Sequence, residues 1–364
     1  MTWSPDGMPL YALVMAGGAG TRFWPLSRRS RPKQLLPFAE GRSLLAATVE
    51  RLAPLVSPER TLVVTSADVA EAVRAELPQL PASNILVEPD GRDTAACVGW
   101  TAWRLARSKP AAVMVVLPAD HLIPDGTALR SALAGAAATA AARGGLVTLA
   151  LRPTSAETGF GYLELGEVVS AAGDRPVHAV KRFVEKPSRK QAEEFVAAGH
   201  YCWNSGMFAW TVDSIQGAIR EHLPELAAGL DNLMASAETL GEEEAVRRYY
   251  PLLPKVSVDF GVMEKAKIVW AVGVDFTWSD VGSWAALSEV LSRQAAGVVL
   301  GDVVALDSDG SVLVSEGPMV AVVGVHDLVV VATHDAVLVV PRDQAQRVKE
   351  LVAKLRAEGR DGLL

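Results

Sequence analysis

Cysteine is scarce in this 364-residue chain, and long apolar runs are missing. The two cysteines, Cys97 and Cys202, form no CxxC pair. Neither a zinc site nor a disulfide framework is suggested, and a reducing cytoplasm is the expected compartment. No apolar run approaches the roughly 20 residues needed to span a bilayer, so no membrane segment is expected. The opening residues, MTWSPDGMPL, carry no basic n-region and no apolar h-region, so no secretory leader is expected either. Positive charge is in deficit: 35 Lys and Arg stand against 42 Asp and Glu, a net charge of −7. That balance argues against nucleic acid as a partner, and any anionic ligand needs a local cationic site. Two common phosphate signatures are also missing. There is no GxxxxGK[ST], and Phe23 stands where GxGxxG needs its last glycine. An ordinary P-loop is excluded, and a dinucleotide-dependent oxidoreductase is disfavoured.

Half of the residues are hydrophobic and 21% are charged, a composition for a folded chain with a sizeable core. Apolar, β-branched runs at 11–15, 61–65, 85–87, 113–117 and 146–150 predict strands. Helical patterns at 43–55, 67–77, 93–107 and 127–143 lie between them, with Asp93-Thr94 able to cap the third. This alternation predicts an α/β fold, a Rossmann-like, mostly parallel sheet flanked by helices. After residue 150 the pattern loosens. A strand over 177–187, a helix over 188–198 and a short strand over 205–210 are expected. Helices broken at Pro224 and Gly241 follow over 213–250. From about residue 297 the chain is valine-rich and broken by short turns. Four or five short strands without a helix are expected there, as a separate stack of β coils or a small sandwich. An amphipathic helix closes the chain, with Val348, Leu351, Val352 and Leu355 as its apolar face. The expected division is a larger domain over 1–292 and a β module over 293–364. The open end of such a module commonly needs a cap or partner, so a homodimer is expected.

The segment LVMAGGAGTRFWPLSRRSRPKQLLPF (13–38) concentrates the charge that the rest of the chain lacks. Gly17, Gly18 and Gly20 follow a strand, where free N–H groups can make a nest for phosphate. Arg22, Arg28, Arg29, Arg31 and Lys33 come next. Thr21-Arg22 lies at the turn, and Lys33 can fold back after Pro25 and Pro32. Polyphosphate is the natural anion for this field, with Arg28, Arg29 and Arg31 open to a plain surface role.

Further along, VMVVLPADHLI puts Asp120 just past a buried strand, and WSDVGSW offers a second carboxylate, Asp280. Mg²⁺ prefers one or two carboxylates plus phosphate oxygens and water. His121 is left structural. Glu185-Lys186 ends a strand, where a carboxylate can accept sugar hydroxyls and a lysine can meet a phosphate. Asn204 can donate and accept; Gly159, Gly161 and Tyr162 offer close backbone approach and an aromatic ring; Asp259 is a further carboxylate. In EPDGRDTAA (88–96), Glu88 and Arg92 could contact a base or ribose, or pair with each other.

Together these stretches resemble the sugar-1-phosphate nucleotidyltransferase family. MAGGAGTRFWPLSRRSRPKQLLPF, EPDGRDTAA, LPADHLI, TGFGYLELG, FVEKP, WNSGMFAW, SVDFGVMEKA and WSDVGSW occur in family order over about residues 10–290. The form PKQ looks like the mannose-1-phosphate guanylyltransferases within it, and the valine-rich tail looks like their C-terminal module. Longer bifunctional members carry an isomerase domain that is not expected within these 364 residues. The resemblance implies transfer of GMP from GTP to mannose 1-phosphate, with Mg²⁺ held by Asp120 and Asp280. It implies Arg22, Lys33 and Asp120 as catalytic residues. It puts Gly17, Gly18, Gly20, Thr21, Glu88, Arg92, Asp93 and Thr94 on the nucleotide side, and Gly159, Tyr162, Glu185, Lys186, Asn204 and Asp259 on the sugar-phosphate side. Another hexose or nucleotide, or a non-catalytic nucleotide-sugar-binding paralogue, remains the alternative.

Overall fold

A computed structural model describes residues 3–5, 7–18, 20–291 and 298–364. A nine-stranded sheet forms its centre, in the order β3-β2-β1-β4-β8-β5-β9-β7-β6. The strands are β1 (Leu10–Ala16), β2 (Thr61–Ser66), β3 (Ile85–Glu88), β4 (Val113–Pro118), β5 (Leu146–Leu151), β6 (Tyr162–Ala172), β7 (Arg175–Val184), β8 (Tyr201–Thr211) and β9 (Val269–Val274). The pairings make β7 and β8 run against the other seven, so the sheet is mostly parallel. The central strands β4 and β5 are apolar and buried almost throughout, because both faces of the sheet are covered.

Helices α1 (Leu44–Leu52), α2 (Ala70–Glu76) and α4 (Gly126–Arg143) pack their leucines, valines and alanines on one face. On the opposite face lie α3 (Asp93–Ser108), α6 (Val212–His222) and α7 (Pro224–Leu240). Local chemistry sets the helix ends. Ser43, Asp125 and Thr211 accept backbone N–H bonds as caps, and Pro224 opens α7. Ser188 and Gln191 form a capping box at the start of α5 (Arg189–Ala198). α8 (Glu242–Tyr249) follows Gly241, the break expected from the sequence.

Four expectations need correction. β6 and β9 are strands that the apolar pattern did not single out. β8 is longer than the expected 205–210. The valine-rich segment has six strands rather than four or five: β10 (Val298–Leu300), β11 (Val303–Leu306), β12 (Val312–Glu316), β13 (Val320–Val323), β14 (Leu328–Thr333) and β15 (Val337–Pro341). They form the expected stacked coils, with β10-β12-β14 and β11-β13 in parallel and β15 folded back on β14.

Nor is this module separate. Phe23, Trp24, Leu36 and Phe38 of the loop after β1 share one apolar core with it, together with Trp284 of α9 (Trp284–Leu291). Val348, Val352 and Leu355 of the closing helix α10 (Val348–Ala357) join that core, whereas Leu351 is exposed. The expected domain boundary at 292/293 lies outside the described residues. No helix among the described residues is long and apolar enough to cross a membrane.

Candidate active site

The glycine turn leaves the carboxyl end of β1 at the middle of the parallel half of the sheet, where ligand clefts form in such folds. Gly18 has φ +100° and Gly20 φ +55°. A side chain at Gly17 or Gly18 would meet open space, so the backbone there is free for close approach by a ligand. Gly20 is required for a different reason. A Cβ on it would lie 2.3 Å from Lys33 Cβ and 2.8 Å from the Lys33 backbone nitrogen. The turn and the lysine segment are thus packed against each other. The Gly20 carbonyl accepts from Ser27 Oγ at 2.8 Å, and Gln34 Nε2 donates to the Ala16 carbonyl at 3.0 Å.

This packing delivers Lys33 as a buried cation. Its Nζ donates to Asp120 Oδ2 at 2.7 Å and to the backbone carbonyl of Asp280. Asp120 and Asp280 are 160 positions apart, and a two-way backbone bridge brings them together. Leu122 N donates to Ser279 O at 2.9 Å, and Ser279 N to Leu122 O at 3.1 Å. The bend at Asp280 is held by Val281, a β-branched residue at φ +46°, a strained conformation of the kind that clusters at functional sites. Arg22 Nη1 reaches the Gly282 carbonyl at 3.4 Å. A cavity of about 370 Å³ is lined by Gly20, Thr21, Arg22, Lys33, Asp120 and Asp280.

Charge separates the two carboxyls. Burial works to raise Asp120, but Lys33 and then His121 outweigh it and hold the group below the usual carboxylate range. Asp280 is raised by burial, with Lys33 opposing and Asp120 adding to the rise. Asp120 Oδ1 and Asp280 Oδ2 accept no hydrogen bond among the described residues, so one oxygen on each is open to a cation. His121 is pushed down to about 4, first by burial, and is neutral at pH 7. Its Nδ1 accepts from Trp278 Nε1 at 3.2 Å.

A second polar cluster forms where β8 passes between β6 and the carboxyl end of β5. Asn204 N donates to the Gly161 carbonyl at 2.8 Å. Asn204 Oδ1 accepts from Thr148 Oγ1 at 2.8 Å, and Nδ2 donates to Asp259 Oδ1 at 3.0 Å. Gly161 fits because a Cβ there would lie 2.5 Å from Glu185 Oε2. Glu185 pairs with Lys186 at 2.5 Å, and Lys186 has φ +49°. Asp259 begins a single π-helical turn over Asp259–Met263. Its carboxyl is pushed up to about 7, chiefly by burial and then by Glu185.

Between the two clusters stands an aromatic wall that motif reading missed. Phe160 packs edge-on against Trp203 and Trp278, and Trp278 against His121, with centroids 5.1–5.3 Å apart. These tryptophans lie in motifs already noticed, yet nothing in their spacing shows that they touch.

The remaining predicted residues fall elsewhere. Tyr162 is buried in the sheet core against Phe195. Gly159 has open space around it. Glu88 and Arg92 do not pair with each other: the Tyr250 hydroxyl donates to Glu88, and Arg92 bonds Asp90 at 2.8 Å. Burial pushes Glu88 up to about 7, opposed by Tyr250. Asp93, at φ +63°, accepts from the Thr94 N–H at 2.8 Å instead of capping a later residue, and Thr94 Oγ1 accepts from Val258 N at 2.8 Å. Arg28 bonds Asp335 at 2.7 Å and the Leu363 carbonyl, Arg31 pairs with Glu316, and Arg29 with Asp68. Two of the clustered cations therefore fasten the β module to the loop.

Comparison with known proteins gives this geometry a family. The nucleotidyl transferase model matches residues 11–296, and the MannoseP isomerase/GMP-like β-helix domain matches 301–355. Mannose-1-phosphate guanylyltransferase of Escherichia coli K12 is 38% identical over 96% of this chain and 74% of its own length. The Salmonella typhimurium protein of that name is also 38% identical, over 96% of this chain and 74% of its own length. A Thermus thermophilus structure described as a mannose-1-phosphate geranyltransferase superposes with a TM-score of 0.86 at 45% identity, covering 96% of this chain and all of that one. A glycine turn, a buried lysine and two neighbouring carboxylates, on a chain matched over 96% of its length by such relatives, make this protein a member of the nucleotidyl transferase family.

Proposed function

We propose that this protein transfers GMP from GTP to mannose 1-phosphate, releasing pyrophosphate and forming GDP-mannose. The observation that carries the reading is Lys33, buried between Asp120 and Asp280 beside an open glycine turn. The names of the relatives supply the substrates. The charged 370 Å³ cavity suits a polyphosphate, not the apolar chain that a geranyl donor would bring.

In the mechanism, a phosphate oxygen of mannose 1-phosphate attacks the α-phosphorus of GTP in line, and the bond to the β-phosphate oxygen breaks. The attacking phosphate is already ionised, so neutral His121 is not needed as a base. Gly17, Gly18 and Thr21 cradle the phosphates, while Arg22 and Lys33 neutralise the developing charge. Glu185, Lys186 and Asp259 form the sugar-phosphate side, with Asn204 holding Asp259 in place. Arg92 and Asp93 border the nucleotide. Asp120 and Asp280 fit a divalent cation, Mg²⁺ by their oxygen donors, because two mutually repelling carboxylates each keep an open oxygen. When bound, that ion supplies charge neutralisation between the nucleotide and sugar phosphates.

The reading places the enzyme in the cytoplasm as a homodimer. The two free cysteines fit a reducing compartment, and exposed apolar side chains of the β module, Val304, Leu306 and Val323 on β11 and β13 and Val337 and Val339 on β15, are available to a second copy. The test is to incubate the protein with Mg²⁺, mannose 1-phosphate and each of GTP, ATP, UTP and CTP, and to separate products by anion exchange. GDP-mannose from GTP alone is expected; a different nucleotide-sugar would overturn the substrate assignment.

A further inference from the structure

The C-terminal helix carries a residue that the proposed mechanism has not used. Lys349 lines the same cavity as Arg22, Lys33, Asp120 and Asp280. It comes from α10, whose Val348, Val352 and Leu355 are buried in the core shared with Phe23 and Trp24. The helix packs directly on the turn Thr21–Phe23, so its position relative to the phosphate-binding backbone is fixed by apolar contacts.

The charges on α10 and its lead-in divide cleanly. Arg347 pairs with Glu350 and Lys354 with Glu358. Lys349 and Arg356 have no acidic partner among the described residues, and each lines a cavity that borders Thr21. Within the smaller cavity Lys33 is paired with Asp120, whereas Arg22 donates to the Gly282 carbonyl and acts on Asp280 without a direct ion pair. Three cations, Arg22, Lys33 and Lys349, therefore line one cavity against two carboxylates, a local excess of positive charge in a chain of net charge −7. An anion of more than one negative charge fits that arrangement.

We infer that Lys349 binds the terminal phosphates of the nucleoside triphosphate, and hence the pyrophosphate leaving group. The inference rests on the nucleotidyl-transfer reading of this cavity. It makes the β module a supplier of one substrate contact: Lys349 and Arg22 hold the departing pyrophosphate from two sides of the turn, while Lys33 stays with Asp120 and Asp280. Lysine suits the task because a flexible point charge can follow the leaving group as its bond to the α-phosphorus lengthens.

The experiment compares wild-type protein with Lys349→Ala and Lys349→Arg in three measurements: pyrophosphate binding by calorimetry, KM values in both reaction directions, and Tm. Lys349→Ala is expected to weaken pyrophosphate binding about tenfold, the usual scale for one charge-assisted contact. KM for GTP and for pyrophosphate should rise by a similar factor. KM for mannose 1-phosphate should stay within about twofold and Tm should not move, because the side chain is exposed. Lys349→Arg should restore most of the affinity. Unchanged pyrophosphate binding in Lys349→Ala overturns the inference. So does a fall in Tm with all KM values shifted alike, or no rescue by arginine. A wild-type protein that binds pyrophosphate through Lys349 but makes no GDP-mannose would sink the proposed activity and leave this contact standing.

Discussion

Asp120 and Asp259 are both half-buried aspartates, each hydrogen-bonded to a neighbouring side chain, yet their carboxyls move in opposite directions. Asp120 has Lys33 at 2.7 Å and is held ionised. Asp259 has the Asn204 amide at 3.0 Å with Glu185 nearby, and its carboxyl rises to about 7. Burial opposes charge at both; the partner decides the outcome. The Lys33 side of the site is thus a field of fixed full charges on a turn that is tightly packed at Gly20 and open at Gly17 and Gly18. The other side is a hydrogen-bond network beside the Glu185–Lys186 ion pair, in which Asp259 can hold or release a proton near pH 7. In the proposed reaction the first suits phosphoryl charge and the second suits sugar hydroxyls.

The largest effect should come from removing the cation that defines the charged side. Lys33→Met is expected to lower kcat/KM for GTP by about 10³-fold, as losing a preorganised charge at a reacting phosphate does. KM for mannose 1-phosphate should change by less than about threefold. Steady-state kinetics checks both numbers, and equal losses for the two substrates would erase the division.

Gly20→Ala tests whether packing holds that cation in place. The new methyl would meet Lys33 Cβ at 2.3 Å and sit at φ +55°. A loss of about 2–4 kcal/mol is expected from overpacking and left-handed strain, with activity falling alongside it. Gly18→Ala, with open space around it, should cost stability only through its φ of +100°, about 1 kcal/mol. Thermal melts of the two variants measure the difference.

The two raised carboxyls, Asp259 in the second cluster and Glu88 outside it, show themselves in the pH dependence of stability. Asp259 titrates near 7 in the folded protein against an ordinary 3.8, and Glu88 near 7 against 4.5. Both acids are raised, so the folded state binds more protons between those values. Their contribution is complete below about pH 4 and is lost as pH rises towards 7, at most on the order of 4 kcal/mol for Asp259 and about 3 kcal/mol for Glu88. Asp259→Asn should roughly halve the fall in Tm between pH 5 and 8, and Glu88→Gln should remove most of the rest. A slope unaltered by either would show that both carboxyls are ionised in the fold.

The smallest effect is at the rivets. Arg31–Glu316 is half exposed, and Arg31→Ala should cost no more than about 1 kcal/mol. Arg28 bonds Asp335, Thr333 and the Leu363 carbonyl from a mostly buried position, and Arg28→Ala should cost about 2 kcal/mol. Chemical denaturation separates the two.

These contrasts mark where sequence reading works. Strand and helix alternation showed β1 to β5 because a doubly covered parallel strand is a continuous apolar run. β6 was hidden because its burial is irregular and its pairing with β7 shifts register, while β9 is a short run that only its neighbours make a strand. The glycine turn, Arg22, Lys33 and both aspartates stood out by residue type, and the structure brings Gly20, Arg22, Lys33, Asp120 and Asp280 to one cavity. That Asp280 stands beside Asp120 depends on the Leu122–Ser279 bridge, which no local pattern encodes. Glu88 read as a nucleotide contact or a partner of Arg92; that its carboxyl accepts from Tyr250, 162 positions away, is encoded by no local pattern. Lys349 gave no signal at all; an exposed lysine on an amphipathic helix becomes notable only when the helix lands on the phosphate turn.

The most direct test of the account is pyrophosphate release from GTP across a panel of hexose 1-phosphates, for wild type and Asp120→Asn. The account predicts fast release with mannose 1-phosphate alone, reduced at least about 10²-fold in the variant, where Lys33 loses its ion-pair partner and the cation site one charge. Release that survives the substitution undiminished would contradict the claim that Lys33, Asp120 and Asp280 form the reacting centre.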